Sequence, residues 1–284
     1  MKKSNILKAA VAYVFLLIIL VFTIFPLFYT IAASFKSNSE ILAYPASVWP
    51  REFTLENYKT AWNSDVLNIR TMFWNSTYYT LVNVFAILLT SSMAGYVFAR
   101  SKIKTKKFIL ALFSATMFLQ LGSITVYPLL DILNAIGLNK SLWGLILIKC
   151  FSVSIVNILL VRSYITSLPK ELDEAATLDG CGFAGIFFRI IMPLLKPIMA
   201  TIALLIFQSS WNEYLMPTIF TIGNPDQQTL IVGIVALKNS GGAAASSWNL
   251  MLAGSTIALI PVLIAYAIGN KFIIAGLTSG AVKG

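Results

Sequence analysis

Few residues in this chain are able to make or break bonds. It has no histidine, and its two cysteines stand apart, Cys150 in a long apolar segment and Cys181 in a charged stretch. Neither a Cys-x-x-Cys pair nor a His–Cys set is present to hold a metal, and thiols on different levels of a protein cannot pair. No catalytic residue and no metal ligand is expected. The spacing that carries most information belongs to docking: Glu174-Ala175-Ala176, then Gly180, Ile190 and Met192-Pro193. Ser167 is placed to cap a helix with Pro169 in its first turn, and Glu171, Asp173 and Glu174 set negative charge at the positive end of that helix's dipole. Gly180 supplies a stop. A second apolar stretch, Phe183 through Ile191, then leads to Pro193, which opens the next long segment. The residues therefore predict two short helices meeting at a glycine. Leu172, Ala175 or Ala176, and Asp179 fall at three- and four-residue spacing, so one face carries small side chains that permit close backbone approach. Such a helix fits a groove on a partner; the blander alternative is an amphipathic connector at a lipid interface.

The same stretch contains Gly180-Cys181-Gly182-Phe183-Ala184-Gly185, formally a Gly-x-Gly-x-x-Gly string. A dinucleotide site needs a strand before that string and a βαβ unit around it, and neither is indicated here. A Walker lysine motif is also missing. No cofactor is expected on this chain, and any ATP and Mg would be bound by another one.

The elements around this loop follow from composition. With 284 residues, 58% of them hydrophobic and 11% charged, and a mean hydropathy of +0.81, the chain has more apolar surface than a soluble domain of its size buries. It belongs in a bilayer. Runs of roughly 20 residues or more, the length that crosses the hydrocarbon core, fall at Ala9–Ala33, Trp74–Ala99, Phe108–Leu130, Leu142–Ile165, Leu194–Met216 and Leu250–Asn270. Six transmembrane helices are predicted. Lys2, Lys3 and Lys8 precede the first run as in a signal peptide, but the run exceeds an h-region and no small-residue cleavage site follows, so it reads as a retained span. With the N-terminus inside, fourteen of the 21 basic residues fall on the cytoplasmic side, among them Arg100, Lys102, Lys104, Lys106 and Lys107. The positive-inside bias thus places both termini in the cytoplasm, and the net charge of +10 reflects topology rather than nucleic-acid binding.

The outer connections differ in character. Residues 34–73 have balanced charge, with Pro45, Trp49 and Pro50 as punctuation, and predict a lobe. Asp131–Ser141 is a short link with Gly137 and Asn139 as turn residues. Pro217–Asn249 carries Gly223-Asn224-Pro225-Asp226 and Gly241-Gly242 around an apolar piece, Thr229–Leu237. Inside the spans, Asn83, Gln120, Asn157, Gln208 and Asn212 are expected to face other helices or an aqueous path, because unpaired polar groups are costly in hydrocarbon. Lys149 is expected to snorkel outward and Glu213 to be solvated near the outer interface. Trp211 and Tyr214 have the chemistry of a sugar platform, although an interfacial aromatic belt explains them equally well.

Glu174-Ala175-Ala176, Gly180, Ile190 and Pro193, in a loop before the penultimate span, resemble the coupling loop of membrane permeases driven by a separate ATPase. On these residues the chain is identified as a member of the ABC importer permeases. Met192 stands where that family usually has Leu, a mild change in an apolar site. Pro26-Leu27, Ser34-Phe35-Lys36, Glu56-Asn57-Tyr58, Asn75-Ser76 and Trp211-Asn212-Glu213-Tyr214 resemble the carbohydrate-type branch, specifically the shorter of its two permease subunits. So does the end of the chain, Gly276-Leu277-Thr278-Ser279-Gly280-Ala281-Val282-Lys283-Gly284.

The resemblance implies an all-α membrane protein with the type I ABC importer permease fold. It implies one permease domain over residues 1–284, with an outer lobe at 34–73, a core at about 70–272, a coupling loop at 166–193 and a cytoplasmic tail at 273–284. It further implies a multi-pass protein of the plasma or inner membrane that imports a sugar or oligosaccharide by alternating access. The implied partners are a second, homologous permease subunit, two copies or a pair of ABC ATPase subunits, and an extracytoplasmic solute-binding protein. By the same resemblance Gly276, Leu277, Thr278, Gly280 and Lys283 would contact the ATPases, in an extended conformation that glycine permits. Asn83, Gln120, Asn157, Gln208, Trp211, Asn212 and Tyr214 remain candidates for the translocation path. A stand-alone secondary transporter or channel is the alternative from another class, and the scarcity of acidic residues inside spans counts against it. An ABC importer for amino acids, phosphate or metal would share the loop but lack the Trp-Asn-Glu segment and the tail.

Overall fold

The computed structural model describes residues 2–63, 68–118, 122–239 and 248–281. Among these residues every regular element is a helix. They run α1 (Lys2–Ala33), α2 (Asn38–Ala43), α3 (Glu56–Asn63), α4 (Ile69–Arg100), α5 (Lys106–Thr116), α6 (Val126–Ala135), α7 (Leu142–Phe151), α8 (Ile155–Ser167), α9 (Glu171–Leu178), α10 (Phe183–Ile186), α11 (Met192–Leu194), α12 (Lys196–Trp211), α13 (Leu215–Phe220), α14 (Leu230–Asn239) and α15 (Trp248–Ala281).

Among the described residues four helical segments are long and apolar enough to cross a membrane: Lys8–Ala33, Ile69–Arg100, Leu142–Ser167 and Trp248–Asn270. A fifth arises if the pair Phe183–Leu194 and Lys196–Trp211, bent by 75°, counts as one. The span expected at Phe108–Leu130 is not one helix. Its described residues form α5, a 3-10 turn at Gly122–Thr125 and α6. Gly122 and Ser123, both poor helix formers, fall at this break. The fifth span also begins later than expected. Pro193 lies in the short α11, and α12 opens at Lys196 with Pro197 in its first turn. Proline lacks the amide that would continue the preceding ladder, which accounts for a sharp bend at this point.

The chain divides into two compact units, Met1–Met72 with Leu230–Ile260, and Phe73–Thr229 with Pro261–Gly284. In the first, α1 is exposed over most of its length. Within residues 34–63 the chain is held by polar contacts. The buried Asn57 donates through Nδ2 to the carbonyls of Ser34 (2.7 Å) and Lys36 (2.8 Å), and Asn249 donates to its Oδ1 at 2.7 Å. Phe35 stacks on Phe53 with ring centroids 4.6 Å apart. The two segments singled out by sequence, Ser34-Phe35-Lys36 and Glu56-Asn57-Tyr58, therefore fold onto each other. Lys36 is fully buried, its Nζ donating to the Ser47 carbonyl.

Among its described residues the second unit has two apolar clusters. One gathers Tyr79, Val126, Leu133, Leu142, Leu145, Ile146 and Phe220. The other gathers Tyr96, Val161 and Ile165 with Ala176, Ile186, Phe187 and Ile191 of the charged stretch and Ile202 and Ile206 of α12. Between helices in lipid, close fit replaces the hydrophobic drive. Gly95 supplies such a fit: a Cβ there would stand 2.7 Å from Val161 Cγ1 and 3.1 Å from the Arg162 backbone nitrogen. The expected turn after α6 is also present. Gly137 has φ +72°, and the Leu138 and Gly137 amides donate back to the carbonyls of Leu133 and Asn134, the paired bonds that end a helix at a left-handed residue.

Candidate functional site

The charged stretch after α8 forms the two short helices read from sequence. Its glycine works as expected. Gly180 has φ +80°, the Cys181 amide donates to the Ala176 carbonyl at 2.9 Å and the Gly180 amide to Thr177 at 3.0 Å. These bonds satisfy the last carbonyls of α9 and turn the chain into α10. Among the described residues no atom beyond its chain neighbours lies within 4 Å of where a Cβ would be at Gly180, so backbone conformation and not crowding selects glycine. The cap at the other end differs from expectation. Ser167 is the last residue of α8 and its hydroxyl donates to Tyr164, while Lys170 precedes α9 without a side-chain cap. Asp173 and Glu174 still stand in the first turn of α9, where the free amides favour negative charge.

The six loop residues divide by exposure. Ala176 is buried and anchors α9 in the core, Ile190 is half-buried in a π-helical turn spanning Phe187–Ile191, and Glu174, Ala175, Gly180 and Pro193 are exposed. Leu178 is 89% exposed, an apolar side chain presented outward from the end of α9. The loop is thus bound on one side and open on the other, as a docking element requires.

What sequence reasoning missed is the grip on this loop from α4. Arg100 Nε stands 2.9 Å from Asp173 Oδ2, an ion-pair contact, and its Nη2 donates to the carbonyls of Leu168 (3.0 Å) and Pro169 (3.4 Å). Four residues earlier, the Tyr96 hydroxyl donates to the Phe183 carbonyl at 3.2 Å and its ring lies 4.4 Å from that of Phe183. The i, i+4 spacing of Tyr96 and Arg100 at the end of a helix was the available signal.

The candidate path residues are not gathered in the same way. Asn83 is buried, with Nδ2 3.5 Å from Ser210 Oγ and Oδ1 without a partner among the described residues. Asn157 donates to Ser154 Oγ at 2.8 Å, Asn212 donates to the Gln208 carbonyl at 2.9 Å, and Gln208 and Tyr214 are exposed. Gln120 lies outside the described residues. Trp211 is 2% exposed, stacked at 5.7 Å on Phe207 and edge-on to Phe73 at 5.8 Å, so its faces serve packing and not an open sugar platform. Lys149 neither snorkels nor leaves Glu213 to solvent. Its Nζ meets Glu213 Oε1 at 2.8 Å, and the Tyr79 hydroxyl donates to Oε2 at 2.6 Å. Pairing within the fold satisfies both charges where apolar surroundings would penalise either alone.

The end of the chain also departs from the extended form expected of it. Gly276, Leu277, Thr278 and Gly280 continue α15, which runs to Ala281. Lys283 lies outside the described residues. Sixteen glycines are spread through the chain, and those of the tail fall next to Ala and Leu, which favour helix.

Comparison with known proteins gives a consistent result. The family described as "Binding-protein-dependent transport system inner membrane component" matches residues 5–277. A probable ABC transporter permease protein, YurM, of Bacillus subtilis is 33% identical over 272 residues, covering 96% of this chain and 88% of that one. An arabinooligosaccharides transport system permease protein, AraQ, of Halalkalibacterium halodurans is 33% identical, covering 92% and 91%. A probable permease for starch degradation products, AmyC, of Thermoanaerobacterium thermosulfurigenes is 30% identical over the full length of both chains. In structure, the chain is similar to one in a bacterial ABC transporter that imports the acidic polysaccharide alginate, with a TM-score of 0.80, 24% identity and coverage of 94% and 97%.

Proposed function

Because the chain belongs to the family of binding-protein-dependent transport system inner membrane components, multi-pass proteins of the cell membrane, we propose that it is the shorter permease subunit of an ATP-driven importer of a sugar or oligosaccharide. Relatives named for the transport of arabinooligosaccharides, starch degradation products and galactooligosaccharides support the substrate class. In this reading α5 and α6 together make a broken third span, which brings the number to six with both termini inside. A second permease subunit, two ABC ATPase subunits and an extracytoplasmic binding protein complete the assembly. ATP and Mg are bound by the ATPases, and this chain takes no catalytic part. The observation that carries the mechanism is the loop from α9 to α11: one face is rooted in the core through Ala176, Ile186 and Ile191, and the other offers Glu174, Ala175 and Leu178 outward. ATPase closure moves this loop, and the rooted face passes the movement to the spans. Gly276, Leu277, Thr278, Gly280 and Lys283 reach the ATPases, and Asn83, Asn157, Gln208, Asn212 and Tyr214 are the residues from which a hydrophilic path is drawn. Trp211 contributes from behind as packing.

The test is uptake of a panel of radiolabelled arabino-, galacto- and malto-oligosaccharides by cells carrying the complete transporter. Glu174→Lys and Gly180→Leu should reach the membrane at normal levels and lose uptake, since neither residue lies in a span. Wild-type uptake by both variants at wild-type levels refutes the coupling role.

A further inference from the structure

The geometry points to Arg100 as the positioning residue that ties the end of α4 to the coupling loop, so that α9 and α4 move as one body. This inference rests on the coupling role proposed for the loop and adds the route by which movement leaves it. Three acceptors from the stretch that links α8 to α9 meet at one guanidinium of α4: Asp173 of α9 at 2.9 Å, and the Leu168 and Pro169 carbonyls that follow α8 at 3.0 and 3.4 Å. The Arg100 side chain is 8% exposed and that of Asp173 is 19% exposed, so water competes little for either charge. A planar fork with five donors serves several acceptors at once from one position, which an ammonium does not. Tyr96 adds a second hold one turn back, bonded to the Phe183 carbonyl at the start of α10. Gly95, on the adjoining side of that turn, brings α4 against the backbone of α8 at Arg162.

Arg100 and Asp173 border an open cavity of about 790 Å³ also lined by Lys102, Lys106, Lys170 and Glu174, which leaves α9 room to swing if the ion pair is lost. Loss of the pair should therefore separate movement of the loop from movement of α4 while leaving the apolar root of the loop in place.

The experiment uses the whole transporter, both permeases with ATPases and binding protein, in proteoliposomes. It reads basal ATP hydrolysis and the amount of oligosaccharide imported per ATP, using the oligosaccharide from the panel above that the wild type takes up best. Arg100→Asp and Asp173→Arg should each lower import per ATP by about tenfold, within the usual range of coupling free energies, with basal hydrolysis retained. The double variant R100D/D173R should regain a large part of the loss, short of wild type because the Leu168 and Pro169 carbonyls lose their donor. Arg100→Lys and Asp173→Asn, milder changes in volume, carry the test if a charge reversal fails to assemble, and each should lower the same ratio. A wild-type ratio in the assembled single variants, or a double variant no better than either single one, overturns the proposal. Glu174→Lys separates the two ideas. If it abolishes uptake while Arg100→Asp does not alter the ratio, the loop couples by another route. Should Glu174→Lys and Gly180→Leu both transport normally, the coupling role itself falls.

Discussion

The two halves of α4 meet ion pairs of different construction. In its first half, Tyr79 donates to Glu213, whose carboxylate is held by Lys149, so that α4 and α7 both meet one acidic group in the link between α12 and α13. At its end, Arg100 spreads over a carboxylate and two carbonyls. The two sites stand 21 residues apart along one helix, roughly 30 Å at 1.5 Å per residue. The lysine is a point charge answered by a single carboxylate, and the site it completes consists of side chains alone. The arginine reaches backbone that follows α8, and so fixes a chain path. One arrangement pairs two charges between side chains, and the other fixes the course of the loop after α8. An ion pair's role is thus read from what else its cation touches.

The largest expected effect tests the first site. Lys149→Leu leaves the Glu213 carboxylate facing apolar neighbours with Tyr79 as its remaining partner, at a cost of about 2–3 kcal/mol, reduced from the fully buried case because both side chains are partly exposed. The change should show as a lower midpoint of thermal unfolding for the detergent-purified protein, followed by tryptophan fluorescence. The double variant K149L/E213Q should recover most of that loss, since Gln still accepts from Tyr79. Wild-type stability in Lys149→Leu alone would show that the pair contributes nothing and erase the contrast.

A smaller effect separates two glycines. Gly95→Leu forces atoms against Val161 and the Arg162 backbone, where an overpacked contact costs about 1–3 kcal/mol and the backbone has little freedom to yield. Gly180→Ala meets open space and bears only the left-handed conformation, about 1 kcal/mol. The same unfolding measurement should rank Gly95→Leu below Gly180→Ala. An inverted order would mean that the approach of α4 to α8 is looser than the distances state.

The smallest perturbation fixes which half of α4 faces the cytoplasm. In a Cys150→Ser, Cys181→Ser background, a cysteine at Lys104 should be shielded from an impermeant thiol reagent added to intact cells, and one at Glu56 should react, because basic residues collect inside. Labelling at 104 and not at 56 would invert the orientation and place the Arg100 site outside, away from any ATPase.

Much of the architecture was legible because it depends on composition and on local rules. Long apolar runs gave α1, α4 and α15, and Gly137 and Gly180 sit at left-handed helix ends where their neighbours in sequence called for stops. The third apolar run was read as one helix because hydropathy registers an apolar run without registering the break near Gly122. Ser167 was misread as a cap because a residue suited to opening one helix also fits the last turn of the one before.

Sequence by itself determined a membrane-embedded helical chain, the six-position loop signature and the branch resembled, since apolar length, charge asymmetry and fixed spacing are properties of a string. Tertiary structure decided the partners. That Lys149 meets Glu213 across 64 positions, that Arg100 reaches Asp173 across 73, and that Trp211 turns inward to Phe207 and Phe73 depend on which helices come together. A charge in an apolar segment states a need for a counter-charge, and only the packing of helices, set by close approaches such as Gly95 on Val161, decides which residue meets it.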